Sequence, residues 1–258
     1  MTDRTQPTAA VLLIGDEILS GRTRDINLQQ IATYLAPLGI PVRESRTVPD
    51  IEDEIVAAVN ELRAKYTYVF TTGGIGPTHD DITADAIAKA FGVGISEHPE
   101  VTAMLAERYA AMGTEYTPAR RRMARIPHGA SVVANPVSGA PGFQTGNVFT
   151  LAGVPQVARA MLEDIGPRLE TGAVVHKITI RGIGLREGDI AEPLGALAKE
   201  MPLVSFGSYP WFRSLGDNGV HLVASTLHEE LTDEIVAKLS AIIEATGVRP
   251  ERLEDANS

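Results

Sequence analysis

Apolar positions in the first part of the chain alternate between two rhythms. Residues 9–14 (AAVLLI) form an almost unbroken apolar run, the pattern of a parallel strand covered on both faces. Leu28, Ile31, Ala32, Leu35 and Leu38 then recur at helical spacing, with Asp25 or Asn27 ahead of them as an N-cap and Gly39 as a stop. Residues 40–48 predict a second strand with Val42 and Val48 inward. Pro49-Asp50 opens a helix over 51–65, carried by Ile55, Val56, Val59 and Leu62. Residues 66–72 predict a third strand, and residues 82–91 a helix with Ile82, Ala86, Ile87, Ala90 and Phe91 on one side. Strand and helix in alternation predict an α/β fold: a three-layer, open, mostly parallel sheet with helices on both faces.

After Gly92 the rhythm changes. A helix is expected over 99–112, with Val101, Met104, Leu105 and Tyr109 on one stripe, and a basic segment over 117–124. A turn at 126–130, a strand at 132–134, a turn-rich loop at 135–142, a hairpin around Gly146 and a helix over 156–165 complete the region. A boundary around 166–172 divides the chain into domains at 1–168 and 173–248. In the second, strands at 174–181, 203–208 and 219–225 and helices at 187–197 and 229–245 predict a small α+β ferredoxin-like domain lacking a last strand. The polar tail from Arg249 is expected to fray.

Composition adds mainly exclusions. The 258 residues are 44% hydrophobic and 22% charged, ordinary for a soluble globular chain. A net charge of −10 provides no broad basic footprint for nucleic acid. The absence of cysteine rules out disulfides and thiolate metal sites. The first ten residues carry no apolar signal core, and no run reaches membrane-helix length, so a cytoplasmic protein with no membrane partner is expected.

The chemistry concentrates in residues 71–85, TTGGIGPTHDDITAD, between the third strand and its helix. Glycine permits otherwise forbidden backbone angles and removes bulk, so Gly73, Gly74 and Gly76 can bring amides close to an anion at a helix N-terminus. Asp80 and Asp81 either cap that helix or hold a divalent cation against a bound phosphate. Two further strand ends carry acids, in Gly15-Asp16-Glu17 and Pro49-Asp50, and ligands of such sheets sit beyond the carboxyl ends of strands. Arg120, Arg121 and Arg122 form either a solvated face or a set of forks for a phosphorylated ligand. The loop at 135–142 and the turn at 153–155 either close over a ligand or are simply tight turns. The six histidines show no metal-binding spacing.

These stretches also resemble a known family. Residues 15–23 (GDEILSGRT) with Asp25 and Asn27, Val48-Pro49-Asp50, residues 71–83, residues 127–130 (PHGA), residues 135–142 (NPVSGAPG) and Gly153-Val154-Pro155 are similar to the molybdopterin-binding (MoaB/Mog-like) domain family. The nearer likeness is to the branch in competence/damage-inducible protein A, CinA, and in eukaryotic FAD synthases. The second domain, with Gly207-Ser208-Tyr209-Pro210, also resembles the one following in CinA-type chains, whereas the further deamidase domain finds no room. The resemblance implies that Asp50 and Asp81 match two functional acids near the pterin-phosphate site. In the CinA-like branch it implies divalent-metal-dependent cleavage of ADP-ribose or FAD pyrophosphate bonds, a reading favoured by the wording GGIGPTHDD. The expected site follows: Asp16, Asp50 and Asp81 hold Mg²⁺, Mn²⁺ or Co²⁺, and Asp50, Asp81, Asp80 and Glu17 take the catalytic roles. Gly15, Gly73, Gly74, Gly76, Thr78, Ser138, Gly139 and Arg121 bind substrate phosphate. The partner is a small-molecule nucleotide or pterin, and relatives suggest a homo-oligomer, dimer or trimer. The alternatives are a non-catalytic pterin- or nucleotide-binding module and a molybdopterin adenylyltransferase.

Overall fold

The computed structural model describes residues 6–214 and 217–253. Residues 1–5, where the start of the expected leaderless N-terminus falls, and the end of the tail beyond 253 lie outside them. The chain divides into two compact units, Met1–Gly172 and Ala173–Ser258.

The first unit opens with β1 (Ala9–Ile14), a short helix α1 (Asp16–Leu19), α2 (Asn27–Leu35), β2 (Val42–Val48), α3 (Glu52–Lys65), β3 (Tyr68–Thr72) and α4 (Thr83–Phe91). It continues through β4 (Ile95–Glu97), α5 (Pro99–Ala111), α6 (Pro118–Arg121), β5 (Arg125–Pro127), β6 (Ser131–Val133), β7 (Gly142–Thr145), β8 (Val148–Leu151) and α7 (Pro155–Ile165). The main sheet has the order β2-β1-β3-β8-β7-β6. Its first four strands are parallel, and β7 and β6 add an antiparallel edge. Alternation along β1 builds both neighbouring layers. Ala10, Leu12 and Ile14 face Ile55, Val59 and Leu62 of α3 and Ile87 of α4. Ala9, Val11 and Leu13 face Ile31 and Leu35 of α2 and Met161 and Leu162 of α7. Each layer seals one face of the sheet, so β1 and β3 are wholly buried. That is why their sequence is continuous rather than alternating.

Three local expectations need correction. Val42 and Val48 do pack against the core, but on opposite faces of the sheet and only partly buried, because β2 is the sheet edge; Ile40, just ahead of it, is the residue fully enclosed. Met104 is 42% exposed and does not join the buried stripe of α5. The expected turn at 126–130 begins inside β5, which pairs antiparallel with β4. Three-residue strands are too short to show a period of two.

The β2 edge carries an ionic cluster. Glu44 accepts from Lys65 Nζ at 2.8 Å, Tyr66 Oη at 2.6 Å and Arg46 Nε at 2.7 Å. Those donors, Lys65 first, lower the carboxyl to about 2. A depressed carboxylate supports the fold above its unfolded value of 4.5 and loses that support as pH falls towards 2. Glu44→Gln is therefore expected to lower the melting temperature near neutral pH, with the gap from wild type closing between about pH 4.5 and 2. A series of thermal melts across that range checks it; a gap that persists unchanged in acid would remove the ionic account.

The second unit runs β9 (His176–Ile183), α8 (Glu187–Glu200), β10 (Val204–Ser214), β11 (Asp217–Thr226), α9 (Thr232–Glu244) and β12 (Pro250–Leu253). Its sheet is antiparallel in the order β10-β11-β9-β12, the ferredoxin-like arrangement. The last strand, expected to be missing, is present: residues 250–253 pair with β9. Its sequence PERL offers little apolar signal, and the pairing comes from the open backbone edge of β9. Ile178, Ile180, Val220, Leu222 and Ala224 pack with Ile190 and Leu197 of α8 and Ile235, Leu239 and Ile243 of α9. Among the described residues no helix is long and apolar enough to cross a membrane.

Candidate functional site

From β1 the chain passes to β2 on one side and then to β3 on the other. The carboxyl ends of β1 and β3 therefore flank a topological switch point, where open α/β sheets leave a crevice. Gly15 follows β1 and ties to β2 through its amide on Val48 O at 3.2 Å. Gly73 follows β3 and donates to Leu151 O at 3.2 Å.

The glycine loop has a steric reason for its composition. Gly73 has φ of 101°, and a Cβ there would lie 2.2 Å from Ile14 O, a backbone atom that cannot turn aside. Gly74 has φ of 67°, and a Cβ would lie 2.2 Å from Thr83 Oγ1. The buried Thr83 hydroxyl donates to Gly73 O at 2.9 Å, and its amide donates to Gly74 O at 3.0 Å. The loop is thus fastened to the first turn of α4. Neither Asp80 nor Asp81 caps α4, which starts after Ile82 without a side-chain cap. Instead the Asp81 carboxylate accepts from the Thr78 amide at 2.8 Å and from the Thr78 hydroxyl, closing the turn between them. Gly76 packs on that carboxylate: a Cβ would come within 2.6 Å of Asp81 Oδ2.

Asp50 is tied to the turn after β1. Its Oδ2 accepts the Asp16 amide at 3.0 Å, at the start of α1. Burial pushes the Asp50 carboxyl above its usual range, and the charges of Glu17, Asp16 and Asp80 add to that push against the opposing Asp16 amide. The Glu17 carboxylate folds back over Gly15, where a Cβ would meet its Oε2 at 2.5 Å. Among the described residues Asp16, Glu17 and Asp50 have no ion-pair partner. The Asp50 carboxyl therefore feels the charges of Glu17, Asp16 and Asp80, while Asp81 is engaged in its own turn. Among the described residues no three acids or histidines form a ready-made metal cage.

The arginine run separates residue by residue. Arg121 is clamped by Glu97, with Nη2 to Oε2 at 2.8 Å. Arg120 lies over the Tyr109 ring at 4.6 Å. Arg125 is forked onto Asp85 at 2.9 and 2.5 Å. Arg122 is the member that reaches the glycine loop: its Nη2 donates to Asp81 O at 3.1 Å, and its buried Nε has no partner among the described residues. Ser138 and Gly139 belong to a turn organised by Asn135, whose Oδ1 accepts the Val137 and Ser138 amides, with Arg108 against Gly139. They line neither of the two hollows that flank the glycine loop. One hollow lies beside Gly74, Gly76, Asp81 and Arg122. The other lies beside Gly73, Glu17, Ile18, Asn27 and Pro155. Asn27 and Arg122 are the two residues that sequence patterning did not assign to the site individually. Asn27 sat in a capping position and Arg122 in a basic run, and only their neighbours in space distinguish them.

A family model described as a probable molybdopterin binding domain matches residues 10–171. The chain belongs to the molybdopterin-binding domain family. A second model, the middle domain of FAD synthase, matches residues 175–252. A Pyrobaculum arsenaticum protein is 36% identical over 255 residues, covering 94% of this chain and 96% of the relative. A CinA-like protein of Citrifermentans bemidjiense is 39% identical over 205 residues, covering 75% of this chain. The chain matches 49% of that relative, so it spans about half the length of CinA-like proteins of that kind. The crystal structure of CinA from Thermoplasma acidophilum, a protein described as of unknown function, is similar with a TM-score of 0.58 at 35% identity. It covers 62% of this chain and 96% of that one. This CinA-like molybdopterin-binding chain thus joins the family's α/β domain to an FAD-synthase-like middle domain.

Proposed function

We propose that the molybdopterin-binding domain is a divalent-metal-dependent nucleotide pyrophosphatase for ADP-ribose- or FAD-type dinucleotides. One observation carries the reading: the carboxylates of Asp16, Glu17 and Asp50, without ion-pair partners among the described residues, follow the carboxyl ends of β1 and β2, and Glu17 shares a hollow with Gly73 of the glycine loop. Unpaired acids and a loop suited to anions attract opposite charges, and a substrate that arrives as phosphate plus cation satisfies both. The donor set fits Mg²⁺, Mn²⁺ or Co²⁺, with phosphate oxygens completing the ligands that the protein lacks, as Mg²⁺ sites commonly use. When bound, the ion would neutralise the phosphoanhydride and acidify a water.

The chain's own residues account for the remainder. Amides of residues 74–76 and the N-terminus of α4 would hold phosphate oxygens. Asp50, oriented by the Asp16 amide, would hold the ion, and the Glu17 carboxylate over Gly15 would accept the proton of the attacking water. A new P–O bond to water forms as the bridging P–O bond breaks, leaving AMP and a second phosphate ester. Arg122 would offset the leaving charge, and Asp81 would keep the loop in shape. The match to an FAD synthase middle domain supports nucleotide chemistry in the same chain.

Purified protein incubated with ADP-ribose or FAD is expected to release AMP with Mg²⁺, Mn²⁺ or Co²⁺ and to stop on chelation. No metal-dependent AMP from either substrate defeats the proposal. Tight binding that ignores metal, with no product, would assign the domain as a binding module instead.

A further inference from the structure

The loop between α1 and α2 is fastened at both ends beside the switch point. The Thr23 amide donates to Glu17 O at 3.0 Å. The Asp25 carboxylate accepts the amides of Asn27 and Leu28, each at 3.0 Å, and Asn27 Nδ2 donates to Gly153 O at 2.8 Å. Arg24 stands between those fixed points and falls outside the motif residues that carry the family resemblance. It lines the hollow beside Gly73 together with Glu17, Thr23, Asp25 and Thr72. Its side chain is exposed and has no ion-pair, hydrogen-bond or ring partner among the described residues. Arg121 and Arg125, by contrast, are already held by Glu97 and Asp85. A guanidinium that shares a hollow with two carboxylates and pairs with neither is available to another anion. The hollow encloses about 60 Å³. That is room for a phosphate group, and well short of the roughly 300 Å³ or more of a site that takes a whole drug-sized ligand.

We infer that Arg24 binds the second phosphate of a diphosphate ligand and so makes the site select diphosphates over monophosphates. The inference rests on the nucleotide reading of the adjoining glycine loop. Two phosphates of a diphosphate share one bridging oxygen, so the second cannot lie far from the first. With the first on the amides of residues 74–76, the hollow that Gly73 borders is the next space along the loop. The guanidinium offers a planar fork that matches two phosphate oxygens. Arg122 lines the hollow beside Gly74 and Gly76, so each flank of the loop carries one arginine. Arg24 is thus a specificity residue: it reads whether a second phosphate is present.

Calorimetric titration with α,β-methylene-ADP and with AMP, both in the presence of Mg²⁺, tests this. The methylene bridge cannot be hydrolysed, so binding is read without turnover. Wild-type protein is expected to bind the diphosphate analogue roughly tenfold or more tighter than AMP. Arg24→Ala should remove most of that preference by weakening the analogue while leaving AMP unchanged. Because Arg24 is exposed, R24A should melt with wild type. Arg22→Ala is the matched control: that arginine is also exposed, donates to Ser20 Oγ at 3.2 Å and does not line the hollow. It removes the same charge and should keep the wild-type preference. No binding of the analogue by wild type, no preference in wild type, a preference retained in R24A, or an equal loss in R22A overturns the inference. The last would show a diffuse effect of charge rather than a contact. AMP release from ADP-ribose is measured separately. A preference that depends on Arg24 without cleavage would leave this inference standing and remove the pyrophosphatase reading; metal-dependent cleavage with a preference indifferent to Arg24 would do the reverse.

Discussion

Asp50→Asn is expected to lower the rate of AMP release by roughly 10²–10⁴-fold while making the metal-free protein more stable near neutral pH. Asparagine keeps the shape and can still accept the Asp16 amide, which lies 3.0 Å from Oδ2. What disappears is the negative charge among Glu17, Asp16 and Asp80. Because burial and those neighbours raise its folded pKa above 3.8, the folded protein holds this proton more tightly than the unfolded chain. The resulting stabilisation is complete below the unfolded value and is lost as pH rises through the folded one. At neutral pH the ionised carboxylate therefore works against folding, and its removal relieves that opposition. Asp50 is only partly buried, so solvent screening keeps the gain at ~1 kcal/mol or less. That corresponds to a rise in melting temperature of about 2–4 °C at most for a protein of this size. Melts of chelated wild type and D50N should differ near neutral pH and converge below about pH 3.8. A variant that is less stable at neutral pH, or fully active, would refute the role given to Asp50.

Gly73→Ala is expected to have the larger effect on the fold. Two penalties act together: φ of 101° lies in the region that side chains rarely adopt, and the new Cβ would lie 2.2 Å from Ile14 O. The first costs on the order of 1–3 kcal/mol. The second cannot be relieved by a rotamer change, because Ile14 O is a backbone atom of the buried strand β1. A loss of about 3 kcal/mol or more follows, roughly a 10 °C fall in melting temperature. Gly21→Ala is the matched control, since its φ is 72° but nothing lies within 4 Å of the added Cβ. It should lose only about 1 kcal/mol. Urea unfolding of both variants checks the contrast. Equal effects would show that strain alone, rather than the approach of β1 to the loop, explains Gly73.

Much of the architecture was legible in the amino-acid order. The continuous apolar run of β1 and the helical spacing in α2 and α3 follow from burial on two faces and on one stripe. Their alternation was enough to predict a parallel sheet whose loops meet at one rim. The glycine and acid motifs likewise sit on that rim. The β4–β5 pair and β12 escaped notice because their pairing depends on an available edge, not on a pattern within three or four residues.

Within the site, residue types and spacing singled out the glycine loop and the acids, since close backbone approach and charge are written in the side chains themselves. Tertiary structure alone decided their partners. It turned Asp81 towards Thr78, left Asp50 among other carboxylates, engaged Arg121 with Glu97 and placed Arg122 at the loop. It also enclosed Asn27 with one amide end unmet. Neighbouring arginines or aspartates are chemically alike along the chain. They become different only when folding sets the direction of each side chain and brings remote donors and acceptors within about 3 Å.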